Sequence, residues 1–201
     1  MKRIIAMTAC LILILSTFTG CSPSGQDQLV GKWKATADLE VAIQTMLAKA
    51  DPSLSGHIDI PAFKVDITIT FEQDGTYKCT VDEEALATGT EQMMQALSTA
   101  LATYLQQETG MTIEELLIVR GVTMEELMDQ WFSSDMAYTL QGYLASSGTY
   151  ELDHDELILT DKNGFVIYEF DCVVDKKTIK FTACNGAGLM AGLMPITFTK
   201  Q

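Results

Sequence analysis

Apolar residues alternate with polar ones in two parts of this chain and recur at helical spacing between them. Val65, Ile67, Ile69 and Phe71 share one face of a strand whose other face carries Asp66, Thr68 and Thr70. Glu72-Gln73-Asp74-Gly75 then reverses the chain, since Asp-Gly supplies the positive φ of a tight hairpin, and Tyr77, Cys79 and Val81 continue the apolar face. The second alternating part starts at Thr149. Tyr150 and Leu152 lead through a His154-Asp155 turn to Leu157 and Leu159, and Lys162-Asn163-Gly164 turns again. Val166, Tyr168, Phe170, Cys172 and Val174 then point inward, and beyond a turn at 175–178 Ile179, Phe181 and Ala183 answer them. Pro195 opens a last strand at 196–199. The pattern predicts an antiparallel meander with one buried face.

Helical spacing appears first in Leu39, Ile43, Met46, Leu47 and Ala50, with Asp38 as N-cap and Asp51-Pro52 as the stop. It then fills residues 84–146. Met93, Leu97, Ala100, Leu101, Tyr104 and Leu105 form a stripe that ends before Gly110, and Met136, Leu140, Tyr143 and Leu144 form another. Between them TIEELL at Thr112 and TMEELM at Thr123 each place a glutamate, Glu115 or Glu126, three residues after the threonine, which is a capping box. The doubled acids Glu114-Glu115 and Glu125-Glu126 suit the positive end of a helix dipole and call for no metal.

Residues 29–34, LVGKWK, open the folded region. Gly31 lets the backbone turn or be approached closely, and Trp33 supplies a large apolar plug with one N–H to satisfy, a pair suited to the closed end of a small barrel. A Gly-rich loop, NGAGLMAGLM at 185–194, leaves three readings open: a gate at a barrel mouth, a membrane-touching tip, or an apolar loop tucked under the helices.

The first residues belong to a different problem. Lys2 and Arg3, the apolar run 4–15 and the small polar stretch 16–20 read as a signal peptide, too short for a spanning helix. Thr19-Gly20-Cys21 resembles a bacterial lipobox, in which the Cys after a small residue is diacylated and becomes the new N-terminus; Phe18 stands where Leu is usual. The chain then divides into a signal peptide (1–20), a polar tether (21–28) and one domain (29–201) carrying the helical insertion 84–146. Its expected place is the extracytoplasmic face of a bacterial cell membrane, held by the lipid on Cys21.

Without residues 1–20, 27 acidic side chains face 11 basic ones, a net charge of −16. That sign opposes nucleic acid and anionic headgroups as partners. Cys79, Cys172 and Cys184 remain beyond the anchor. With Val174 opposite Ile179, Cys172 points inward opposite Phe181 and Cys184 falls on the other face, so these two do not pair without a bulge. His57 and His154 are the sole imidazoles available as a hydrolytic base, and the DHDE run at 153–156 has the composition of a solvated turn. No P-loop, GxGxxG, HExxH or zinc spacing occurs. The expectation is a non-enzymatic protein without cofactor or metal.

LVGKWK at 29–34, ITFEQDGTY at 69–77, SGTYELDHDELIL at 147–159 and PITFTK at 195–200 together resemble the lipocalin-like lipoproteins of Gram-positive bacteria. The resemblance implies a mainly β chain with a helical insertion (α+β): an antiparallel lipocalin-like β-barrel of seven or eight strands, with the helical segment capping one end. It also implies an interior site for a small apolar molecule. The inward aromatics Tyr77, Tyr150, Tyr168, Phe170 and Phe181 are the candidates to line it, and the same residues equally suit a filled core. The alternative function is a cell-envelope interaction protein that meets its partner through the acidic insertion and uses the barrel as scaffold.

Overall fold

The computed structural model describes residues 25–50, 59–131, 136–185 and 189–201. Strands β1 (Gly31–Asp38), β2 (Lys64–Phe71), β3 (Thr76–Val81), β4 (Ser146–Asp153), β5 (Glu156–Asp161), β6 (Val166–Val174), β7 (Thr178–Asn185) and β8 (Ile196–Lys200) each pair antiparallel with their chain neighbours, and β8 returns to β1. The result is an eight-stranded antiparallel barrel, within the seven or eight strands expected, and the structure adds that it is closed. Around it lie helices α1 (Gly25–Leu29), α2 (Leu39–Ala50), α3 (Glu83–Thr109), α4 (Ile113–Arg120), α5 (Met124–Trp131), α6 (Met136–Leu144) and α7 (Leu189–Gly192).

Strand direction sorts the connections. β1, β3, β5 and β7 all run toward one end of the barrel, so the links that follow them lie there: α2, the helices α3 to α6, the turn before β6, and α7. The other end holds three tight turns, α1 and the C-terminus. We refer to these as the helical end and the turn end.

Pairing of Phe71 with Tyr77, Ile69 with Cys79 and Ile67 with Val81 keeps the apolar faces of the β2–β3 hairpin together, and Gly75 takes the positive φ of 82° that its turn requires. Two bulges overturn the simple parity of the later strands. Leu159 faces Tyr168 but Thr160 faces Val166, so Ile167 is the extra residue; Val166, expected inward, is exposed. Cys172 faces Phe181 and Val174 faces Ile179 as expected, whereas Asp171 faces Ala183 and Phe170 faces Cys184. Thr182 is therefore the extra residue there. Ala183, expected inward, turns to solvent, and Cys184, expected outward, becomes half-buried opposite Phe170.

The helices start and stop where the chemistry of their ends directs. Asp82 accepts a bond from the Ala85 N–H at 3.0 Å to open α3, and Gly110 closes it at φ 69°. Both expected capping boxes form: Thr112 with Glu115 at α4, and Thr123 with Glu126 at α5. α3 buries Leu86, Met93, Leu97 and Leu101, and its Gly89 lies so close to the Phe63 ring that a Cβ there would overlap it. In α6 Leu140 and Leu144 are buried, but Tyr143, placed on the same stripe by its spacing, is exposed. The described part of the NGAGLMAGLM loop forms α7, whose Leu189 and Met190 are buried with Leu193, and a Cβ on Gly192 would lie 3.1 Å from that of Ala42 in α2. Of the three readings, packing against the helices is the one adopted; residues 186–188 lie outside the described residues. The expected tether begins to fold before its end, since Gly25–Leu29 is helical and Leu29 is fully buried.

Candidate functional site

The barrel interior is the first place to look, because the sequence places its five candidate ligand-binding aromatics there. Phe170 and Phe181 stack with centroids 4.6 Å apart, Phe181 meets Phe198 at 5.2 Å, and Tyr168 meets Phe170 at 5.5 Å. Phe71 and Tyr150 make an edge-to-face pair at 4.8 Å. These separations fall in the favourable range for aromatic pairs, so the rings are one another's partners. Phe71 and Phe198, absent from the expected set, complete the cluster; the alternation of Ile196 with Phe198 was the signal for the latter.

Each tyrosine hydroxyl reaches backbone or a neighbouring hydroxyl. Tyr150 donates to the Glu72 carbonyl at 2.9 Å at the turn end, Tyr77 to the Ser146 hydroxyl at 3.2 Å, and Tyr168 to the Tyr143 carbonyl at 2.8 Å. The Cys79 thiol lies 3.0 Å from the Leu144 carbonyl. Residues 143–146 thus draw three interior side chains into bonds at the helical end. Burial pushes the Tyr168 phenol up to about 12 and raises Tyr77 and Tyr150 as well. The thiols respond likewise: desolvation moves Cys79 to about 12 and Cys172 to about 11, and raises Cys184. Burial thus disfavours the thiolate form of these cysteines.

Gly31 and Trp33 lie at the turn end, at the start of β1. The Trp33 ring is fully buried and its indole N–H donates to the Leu29 carbonyl at 2.6 Å, so α1 serves as its lid. The Lys200 ammonium sits 4.8 Å from the ring centroid on the rim. Gly31 has φ 132°, and a Cβ there would stand 2.9 Å from the Lys200 side chain. Cys21 and His57 lie outside the described residues. His154, at φ 59° in the β4–β5 turn, is exposed, with Nδ1 2.6 Å from Asp153.

The helical end differs in its surface. Among the described residues Val41, Ile118, Val119, Tyr138, Tyr143, Phe165 and Val166 are exposed large apolar side chains on elements at this end, and Val173 is one beside the turn end. Two openings lie beside them. An open cleft of about 420 Å³ runs between α3 and the approach to β2, lined by Phe63, Lys64, Asp82, Glu84, Thr88 and Gln92. The second lies at the barrel seam. β1 and β8 share two register pairs, Trp33 with Lys200 and Lys34 with Thr199, and toward the helical end a recess of about 270 Å³ separates them. Ala37, Val41, Leu193, Met194, Pro195 and Ile196 line it together with Thr36 and Asp38, so its wall mixes aliphatic and polar surface.

No known protein family, curated protein or solved structure matches this chain.

Proposed function

We propose that the protein is a lipid-anchored, extracytoplasmic, non-enzymatic interaction protein, with the barrel as pedestal and the helical end as the binding face. The observation that carries this reading is the division of the barrel into two unlike ends. α1, which follows Cys21 by four residues, covers the turn end, while α2 to α7 lie at the other. A lipid on Cys21 therefore sets the turn end toward the bilayer. Strands of eight residues rise about 3.3 Å per residue, so even tilted strands hold the helical end about 20 Å further out. The exposed apolar residues of that end then face outward, clear of the membrane. Interior rings that satisfy one another support a scaffold role for the barrel.

A photoactivatable phenylalanine at Tyr143, and separately at Lys176 in the turn between β6 and β7, tests this in intact cells. The reading expects a discrete protein adduct from the helical end that is lost on Cys21→Ser. Adducts from Lys176 in place of Tyr143 would refute it.

The recess between β1 and β8, with its aliphatic side formed by Val41, Leu193, Pro195 and Ile196, supports a second reading, in which a small apolar ligand binds at the seam and not among the stacked rings. Ile196→Glu should then abolish binding of a fluorescent fatty acid by the purified protein, and unchanged binding would remove the seam from consideration.

A further inference from the structure

Resting on that reading, we propose that the outward face of α4, centred on Ile118 and Val119 and rimmed by glutamates, is the docking surface for a cationic protein segment that carries apolar side chains between its Lys or Arg residues. α4 is two turns long and firmly held. The Thr112 capping box opens it, Gly121 closes it at φ 65°, and Leu116 is buried while Ile113 and Leu117 pack against the core. With its inner face thus satisfied, the outer face of an ordinary surface helix would be polar. Instead Ile118 is 80 % and Val119 72 % exposed. Both are β-branched, so helix propensity does not account for them.

Their neighbours specify the partner. Glu114 precedes Ile118 by one helical turn on the same face, and Glu115, one turn before Val119, turns its carboxylate back to the Thr112 N–H, so both acids edge the exposed pair at the start of the helix. The echoing helix α5 carries Glu125 and Glu126 in its first turn. From residue 83 to 144 the sequence holds ten acidic residues and one basic, Arg120, so this segment supplies −9 of the −16 carried beyond residue 20. An apolar centre with a charged rim is the anatomy of a protein interface. A second copy of this chain would set like charge against like, and an anionic bilayer is opposed by the same sign and lies beyond the other end of the barrel. A basic segment with apolar anchors satisfies both the centre and the rim.

The test uses a labelled amphipathic Leu/Lys peptide and its Leu/Glu counterpart, read by fluorescence anisotropy against the protein in nanodiscs of zwitterionic lipid. The Leu/Lys peptide should bind and the Leu/Glu peptide should not. Ile118→Ser with Val119→Ser should weaken binding by about tenfold or more, the scale of about 1.4 kcal/mol, with the circular dichroism spectrum unchanged. Glu114→Gln with Glu125→Gln should weaken it and flatten its dependence on salt. Equal binding by the Ser variant, or equal binding of both peptides, overturns the proposal. So does loss of binding confined to a Tyr143→Ser, Phe165→Ser variant, which would place the face elsewhere on the helical end. Wild-type self-association abolished by the Ser substitutions would also overturn it, by naming a second copy as the occupant. The Tyr143 adduct tests the wider reading separately, so failure of the α4 face and failure of the helical end are distinguishable.

Discussion

Phe181 touches two rings, Phe170 and Phe198, and is fully buried between β7's neighbours on the barrel's inner face. Phe181→Ala should lower stability by about 3–5 kcal/mol, the usual cost of removing a buried ring and leaving its volume unfilled, seen as a shift of the urea midpoint. Titration of the buried phenols and thiols has a definite sign. Burial raises Tyr168 from 10.0 to about 12, and Cys79 and Cys172 from 9.0 to about 12 and about 11, so the folded state holds these protons more tightly than the unfolded chain. Their contribution to stability is complete below the unfolded values and is lost as pH rises through the folded ones. Urea midpoints should therefore fall from about pH 9 upward, and Tyr168→Phe should make the decline between about pH 10 and 12 shallower. An unaltered alkaline profile in that variant would show that Tyr168 takes no part in it.

At the scale of the element, two helical glycines give opposite predictions from one substitution. A Cβ on Gly142 in α6 meets no atom within 4 Å, so Gly142→Ala should stabilise the protein by about 0.5–1 kcal/mol through helix propensity. Gly89 in α3 lies against the Phe63 ring, and Gly89→Ala must displace that ring or the helix. The expected result is a loss of about 1–3 kcal/mol despite the better helix former. Thermal melts of the two variants side by side check both signs. Close approach at Gly89 also explains how a helix of this length packs onto the approach to β2, where Phe63 is buried and its carbonyl accepts the Leu39 N–H at 2.7 Å.

For the whole molecule the relevant fact is that its two ends are built differently. The turn end depends on α1: Leu29 is fully buried and supplies the acceptor for the Trp33 indole. A chain starting at Val30 loses that burial and that bond, and should be less stable by about 3 kcal/mol, with tryptophan emission shifted to longer wavelength. Unchanged stability would mean that α1 is a passive tether. If α1 is part of the fold, the lipid anchor proposed at Cys21 would leave few residues of slack and would hold the helical end at a defined height and orientation. That consequence joins the N-terminal segment to the binding face proposed at the opposite end.

What the amino-acid sequence determined by itself is what depends on neighbours a few residues apart. Alternation located most of the strands, Asp-Gly and Lys-Asn-Gly located turns, and Thr-x-x-Glu located two helix starts, because these signals act through local backbone geometry. The pairing of Val174 with Ile179, the premise for the β6–β7 hairpin, is the one formed. What the tertiary structure alone decided depends on partners far along the chain. Closure of β8 onto β1 joins residues 33 and 200. The bulges at Ile167 and Thr182 reversed the facing of Val166, Ala183 and Cys184, since one extra residue flips a period of two and nothing local announces it. The aromatic residues of the interior were legible as inward-facing, but that they stack on one another was not, because stacking is set by the barrel's diameter. Nor was the apolar face of α4: Ile118 and Val119 belong to a continuous apolar run with Leu116 and Leu117, and only the packed neighbours decide which of the four turn inward and which meet water.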